Sequence, residues 1–418
     1  MTGAGTAAVR RNFVALGLDY SCFLVAMSFA SQATILPAFA AHLDPSNVVV
    51  GAIPAVMTLG WFLPSLFAAH HTERLARRLP FVLRYTVFER LPMAALAAVA
   101  FFVAGPAPGL ALALLFLLLL VMTGTGGALM PAWMDLVARA IPTTARGRFF
   151  GAANVVANAG GLAGSVATAW FLASFPAPQS YGLCFLAGTA FMACSYAALA
   201  SVREPPGPPP APPARLAAYL RRMPAVLRGD RNLVWFLVAR TFGSLGTMAN
   251  GFYTVYALRT WEAPEWQVGV FTTLFLAGQL AGNAVLGGLA DRAGHRLVLV
   301  VGLAAMAAGN VVALGATSLG AVGAVFVLSG VHHASVHVSS RTILLELAPE
   351  AERPTYIGLA NTTLAPATFV APLAAGVLAD RLGFAPVFAL AAALSAVALA
   401  LLVARVRDPR RPGLSDAR

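Results

Sequence analysis

The sequence predicts an all-α polytopic membrane protein with twelve transmembrane helices in two six-helix bundles. Three observations carry that expectation. The 418 residues are 59% hydrophobic and only 11% charged, with a mean hydropathy of +0.77, outside the range of water-soluble domains. The apolar residues fall into runs of roughly 20, the length that crosses a bilayer as helix. A polar, proline-rich interruption at 203–231 stands between six such runs and six more.

The first run, 13–39, follows MTGAGTAAVRRN and contains Asp19 and Gln32. It is longer than a signal-peptide core and lacks a small-residue cleavage site, so it is expected to be retained as a helix. Further spans are expected at 48–68, 81–104, 110–134, 149–173 and 181–201, then at 232–257, 266–288, 297–316, 320–345, 355–379 and 384–405. The chain therefore divides into a first bundle at 1–202, a linker at 203–231, and a second bundle with a short tail at 232–418. The linker opens REPPGPPPAPP, a stiff extended spacer, and continues as a short basic amphipathic piece suited to a membrane surface.

No lysine occurs, and the net charge of +12 comes from arginine. Arg10 and Arg11, then Arg74, Arg77 and Arg78, then Arg139, Arg146 and Arg148, the linker, and the stretch from Arg405 to Arg418 fall on one side of the predicted spans. Loops rich in arginine stay in the cytoplasm, so both termini are expected there, with the chain in the cytoplasmic (inner) membrane of the cell. That placement accounts for the basic charge without a nucleic-acid partner. The opposite connections, GPAPG at 105–109 and SFPAPQS at 174–180, are uncharged; Arg259 and Arg381 are exceptions on that side. Trp261 and Trp266 fall where an aromatic belt is expected.

Cys22, Cys184 and Cys194 lie in apolar runs without C-x-x-C spacing, which argues against a disulfide framework and a metal site. P-loop, G-x-S-x-G and H-E-x-x-H patterns are absent, and no connection is long enough for a catalytic domain. An ATP-driven pump within this chain is excluded, and neither enzymatic activity nor a cofactor is expected. A monomer in the bilayer is the expected state.

The two halves echo one another. Gly287 to Arg296 reads GGLADRAGHR, and 218 residues earlier AHHTERLARR repeats it with Glu73 for Asp291, Arg74 for Arg292 and Arg78 for Arg296, while Ala69 and Ala76 replace Gly287 and Gly294. Arg11-Asn12 before the first span matches Arg231-Asn232 before the seventh. Pro142, Arg146, Phe149, Gly151 and Asn154 correspond to Pro349, Arg353, Tyr356, Gly358 and Asn361. With its G-x-x-x-D-R-x-G-x-R loop and parallel repeat, the chain resembles the major facilitator superfamily. The resemblance implies two bundles related by a pseudo-two-fold along the membrane normal, working as a secondary transporter by alternating access. It implies gating roles for the loop residues Glu73, Arg74, Arg78, Arg146, Gly287, Asp291, Arg292, Gly294, Arg296 and Arg353. The Gly-Pro motif of drug/proton antiporters is missing from the fifth span, which reads NAGGLAGSV.

Polar side chains in hydrocarbon are costly unless they face a cavity or one another. Asn154, Asn158, Gly161, Ser165 and Thr168 share one helical face of the fifth span. The two asparagines suit a cavity, whereas Ser165 and Thr168 suit close helix packing. Arg240, Ser244, Thr247, Gly251 and Thr254 make a second stripe on the seventh span, Gln279 and Asn283 a short one on the eighth, and Gln32 and Trp61 are further cavity candidates. On the tenth span His333, His337 and Arg341 share a face beside His332, in position to relay protons or to pack between helices. Glu89, Arg90 and Asp135 read as gate or packing charges near the cytoplasmic ends of their spans.

Asp19 lies eight residues beyond Arg11, and Arg240 nine beyond Arg231. At 1.5 Å per residue both sit about 12–14 Å into the membrane, so a charge pair between them is expected, either with Asp19 as the proton carrier or as a permanent structural bridge. The function expected from these residues is transport of a small organic solute, coupled to protons and favouring an anion. The alternative is a non-transporting protein on the same scaffold, such as an assembly factor or membrane-embedded enzyme.

Overall fold

The computed structural model describes residues 3–72, 75–205, 216–349 and 353–408, and all regular structure among them is helical. Among the described residues, ten helices are long and apolar enough to cross a membrane. The first and seventh predicted spans are interrupted. The first is α1 (Gly3–Ser28) followed by α2 (Ile35–Leu43). Pro37 explains the break, because it has no N–H to give to the carbonyl of residue 33 and its ring collides there. The seventh is α10 (Arg231–Gly246) and α11 (Phe252–Thr260), joined through a 3-10 turn at Thr247–Ala249. Gly246 is required at that point, since a Cβ there would lie 2.2 Å from the Ser395 hydroxyl.

The remaining helices follow the expected order with longer ends. They are α3 (Asn47–Thr72), α4 (Leu79–Tyr85) continued by α5 (Val87–Ala98) and a π-helical turn (Val99–Val103), α6 (Pro108–Ala140), α7 (Thr143–Ser174) and α8 (Gln179–Ala200). The second half has α12 (Trp266–Ala293), α13 (His295–Leu314), α14 (Leu319–Leu347), α15 (Arg353–Leu382) and α16 (Phe384–Ala404). The basic amphipathic piece of the linker is a helix, α9 (Leu216–Gly229). Its Met223, Val226 and Leu227 pack against the core around Leu233, Phe236 and Tyr356.

By contacts the chain forms two compact units: 1–45, 56–213 and 264–272 make one, and 46–55, 214–263 and 273–418 the other. In the first, a core cluster gathers Leu16, Val82, Leu136, Phe149 and Leu199. In the second, the corresponding cluster gathers Phe236, Leu303, Tyr356 and Leu402, with Tyr356 at the repeat position of Phe149. Each unit also crosses two helices through glycine. A Cβ on Gly60 of α3 would lie 2.0 Å from Thr123 of α6, and one on Gly278 of α12 would lie 2.3 Å from the Val327 carbonyl of α14. Large apolar side chains such as Phe102, Val155, Val166, Trp170 and Val285 remain exposed, as lipid-facing residues do.

The repeated Arg-Asn pair has a shared structural purpose. In the first unit Asn12 donates to the Arg203 carbonyl (2.8 Å) and accepts from the Arg203 amide (3.0 Å), clamping the start of α1 to the chain just beyond α8. In the second, Asn232 donates to the Arg407 carbonyl (3.2 Å) and accepts from its amide (2.8 Å). Asn12 is buried while the Asn232 clamp is exposed, and a hydrogen bond counts for more where water cannot replace it. Asn12→Ala should therefore lower stability by about 1–3 kcal/mol and Asn232→Ala by less, read as melting temperatures of the purified proteins in detergent. Equal losses would show that the two clamps are not distinguished by burial.

Candidate functional site

The charges of the first unit converge on Asp19. Its carboxylate accepts from Arg90 Nη2 (2.7 Å) and Ser195 Oγ (2.7 Å) on Oδ1, and from Trp133 Nε1 (2.8 Å) on Oδ2. Arg90 Nη2 also donates to Ser195 Oγ (2.9 Å), and its Nη1 donates to Glu89 Oε2 (3.2 Å). Thr86 Oγ1 donates to the same Glu89 oxygen (2.9 Å). Four helices thus supply one centre: α1 brings Asp19, α5 brings Glu89 and Arg90, α6 brings Trp133, and α8 brings Ser195. The Arg90 and Asp19 side chains are only 9% and 3% exposed, so the pair is desolvated.

This corrects one sequence expectation: Asp19 is held by Arg90 of its own unit and not by Arg240. Glu89 and Arg90, read as gate or packing charges, are buried members of the centre. Equal depth had pointed to Arg240, but depth leaves open the direction in which each side chain leaves its helix.

An aromatic wall adjoins the centre. Tyr20 stacks on Trp133 at 5.8 Å between centroids, and its hydroxyl lies 3.4 Å from Asn154 Oδ1. The Phe23 ring lies 5.8 Å from the Arg90 guanidinium. Gly126 of α6 lets Trp61 and Glu89 meet: a Cβ there would stand 2.6 Å from Glu89 Oε1 and 2.7 Å from the Trp61 ring. Trp61, a cavity candidate on sequence, therefore sits beside the charged centre.

The other candidates are distributed as follows. Asn154 and Asn158 are half-buried on α7 and bond to carbonyls one turn back, at Phe150 and Asn154 (2.8 Å each), while Ser165 and Thr168 are buried. Gln32 is exposed in the break between α1 and α2. The seventh-span stripe is discontinuous: Arg240 and Ser244 lie on α10, Thr247 in the 3-10 turn with its hydroxyl on the Ser244 carbonyl (2.7 Å), and Thr254 buried on α11. Gln279 and Asn283 are half-buried on α12. On α14 the Nε2 atoms of His333 and His337 approach to 3.1 Å, and His332 Nδ1 meets the Gly302 carbonyl at 3.0 Å. The side chains of Arg341 and Arg353, and all of Glu73 and Arg74, lie outside the described residues.

The loop residues brace helix ends. Arg78 Nε pairs with Asp135 (2.7 Å), Arg139 joins the same carboxylate (2.9 Å), and the Arg78 amide donates to Glu204 (2.7 Å). Arg146 donates to the Ala138 and Ile141 carbonyls at the end of α6 (2.6 and 3.1 Å). Arg296 likewise donates to the Leu402 and Val403 carbonyls of α16 (3.2 and 2.6 Å), where the negative end of a helix favours a cation. Asp291 and Arg292 are exposed. Gly294 has φ of +90°, which a side chain would strain, whereas nothing crowds Gly287. Glu262 is the sole non-glycine of positive φ among the described residues. Ala76 thus closes its loop without the left-handed turn of Gly294.

A sequence profile described as Major Facilitator Superfamily matches residues 241–418. No curated protein matches the chain. Among solved structures, the nucleoside transporter NupG is similar with TM-score 0.75 at 12% identity, over 94% of this chain and 100% of that one. A D-xylose-proton symporter is similar with TM-score 0.70 at 13% identity, over 98% and 99%. A bacterial homolog of the human lysosomal transporter Spinster is similar with TM-score 0.69 at 12% identity, over 100% of each. This is the major facilitator fold. The profile match over the second half agrees with that fold. Within the major facilitator frame, the buried Asp19–Arg90 centre is the feature that sequence reasoning missed. The adjacent Glu89-Arg90 pair inside an apolar span was its available signal.

Two predictions follow the charges. Arg90→Gln leaves two carboxylates without their cation and should lower stability by about 3–5 kcal/mol, whereas Asp19→Asn keeps Arg90 paired with Glu89 and should cost less; denaturant unfolding in detergent measures both. Just before α12, Glu265 lies 4.0 Å from His42, and burial raises its carboxyl above the ordinary value while His42 opposes the rise. The folded state then holds that proton more tightly than the unfolded chain. Glu265 stabilises fully below its unfolded value, and the contribution is lost as pH rises through the folded one. Glu265→Gln should flatten the melting temperature between about pH 4 and 6.

Proposed function

We propose that the chain carries a small organic solute by alternating access coupled to a proton gradient, in the cytoplasmic membrane with both termini and the 203–231 linker inside the cell. The buried group of Asp19, Glu89 and Arg90 carries the proton reading. Two carboxylates around one guanidinium leave a net negative charge in an apolar surround, which a proton neutralises. The breaks in the first and seventh helices support solute binding, because interrupted helices leave backbone groups available to a ligand. Gln32 and Thr247 lie in those breaks. Trp61, Asn154, Asn158, Ser244, Gln279 and Asn283 are further proposed solute contacts.

Arg90 already serves two carboxylates, so it is a poor ligand for an anion. The preference for an anionic solute therefore rests on Arg240, half-buried on α10, where a carboxylate or phosphate would gain a bidentate partner. His333 and His337, with Nε2 atoms at 3.1 Å, are proposed to share one proton, since two adjacent imidazolium ions repel. Arg78, Arg146, Asp291, Arg292 and Arg296, with Glu73, Arg74 and Arg353, are proposed to support conformational cycling more than solute affinity, while Arg341 stays with His333 and His337 as a proposed proton-coupling residue.

The test is reconstitution of the full chain in liposomes with a panel of nucleosides, peptides, sugars and organic anions, with and without an imposed pH gradient. One class should accumulate against its gradient only when the pH gradient is present, and a protonophore should abolish the accumulation. Uptake that equilibrates identically in both conditions would overturn proton coupling. For orientation, single cysteines replacing Gly207 and Gly413 in a chain stripped of its own thiols should resist an impermeant reagent in intact cells, whereas those replacing Gly109 and Ala177 should react. External labelling at position 207 would reverse the topology.

A further inference from the structure

Resting on the proton-coupled reading above, we infer that Glu89, and not Asp19, is the carboxylate that takes up and gives back the proton. The two carboxylates share Arg90 but are held differently. Both Asp19 oxygens are occupied by donors: Arg90 Nη2 at 2.7 Å and Ser195 Oγ at 2.7 Å on Oδ1, and Trp133 Nε1 at 2.8 Å on Oδ2. Ser195 accepts from Arg90 (2.9 Å), so its own hydrogen is directed to Asp19. The Trp133 indole is a donor only. A proton on Asp19 would meet a hydrogen at every one of these contacts.

Glu89 uses one oxygen. Oε2 accepts from Thr86 (2.9 Å) and Arg90 Nη1 (3.2 Å). Oε1 accepts no hydrogen bond among the described residues and faces Gly126 and the Trp61 ring. A proton can settle on Oε1 without displacing a donor, leaving Asp19 ionised against Arg90 and the centre neutral. When that proton leaves, Arg90 again divides its charge between two carboxylates, and the net negative charge returns.

The surroundings contain little else that titrates. Among the described residues, α1 presents Asp19, the Tyr20 phenol stacked on Trp133 and the Cys22 thiol near Asp19, and α5 presents Arg90 itself. Arg84 of α4 turns to the Tyr85 ring (5.8 Å). Asp135 and Arg139 of α6 pair with one another and with Arg78 and Glu204. The α8 helix brings Ser195 and Cys194, and α3 brings the uncharged Trp61. The proton balance of the centre therefore lies between the two carboxylates.

Infrared difference spectroscopy of the full chain in lipid bilayers, titrated with acid, tests the assignment without a known solute. The wild type should show a carbonyl band of a desolvated carboxylic acid that grows as pH falls. Glu89→Gln should remove it. Asp19→Asn should keep it with a midpoint about 1 unit or more lower, because a like charge is gone and Arg90 turns wholly to Glu89. Thr86→Val, which removes a donor to the ionised form, should move the midpoint upward and serves if Glu89→Gln folds poorly. A band that survives Glu89→Gln and vanishes in Asp19→Asn, or no such band in the wild type, overturns the inference. If Glu89 titrates while the pH gradient drives no solute, the proton site stands and the coupling reading falls. If gradient-driven uptake survives Glu89→Gln, the coupling reading stands and this assignment falls.

Discussion

A desolvated guanidinium held between two carboxylates governs the first half of this protein. Arg90 at 9% and Asp19 at 3% side-chain exposure are tolerable in an apolar surround because each charge satisfies the other and Ser195 and Trp133 also donate to the Asp19 carboxylate. In low dielectric an unmatched charge costs several kcal/mol. The helices that supply these groups must therefore hold fixed rotations about their own axes. Breaking any contact exposes the rest of the network to that penalty, which makes the centre a constraint on the whole bundle.

The second half has no carboxylate–arginine centre of this kind at the repeat position of Asp19, where the sequence has Ala239. It repeats the scaffold instead: the asparagine clamp, the buried aromatic at Phe149 and Tyr356, and the glycine crossing at Gly60 and Gly278 recur in each unit. Its polar content is different in kind. Arg240 on α10, Gln279 and Asn283 on α12, and His332, His333 and His337 on α14 are among the polar groups of its helices.

The loop motif shows how far a repeated pattern constrains geometry. In the second half Gly294 takes positive φ and Arg296 reaches the carbonyl end of α16. In the first, Ala76 replaces the glycine and Arg78 takes a carboxylate, Asp135, as its partner. The same arginine position is retained while its acceptor changes from helix carbonyls to a side chain, because the backbone preceding it turns differently.

Composition and hydropathy alone determined the class and the approximate helix order, because burial of apolar runs in lipid depends on length and composition and little else. The repeat was legible for the same reason: Asn12 with Asn232 and Phe149 with Tyr356 occupy positions where one backbone geometry imposes one chemistry. The partner of Asp19 was not legible. Residue spacing gives depth along a helix, and at that depth Arg240 matched as well as Arg90, but the rotation of each helix and the neighbour it faces arise only when all the helices pack. The breaks after Ser28 and Gly246 were hidden for a related reason. Pro37 and Gly246 are single residues in apolar runs, and their effect depends on the carbonyl or hydroxyl that the folded chain brings against them.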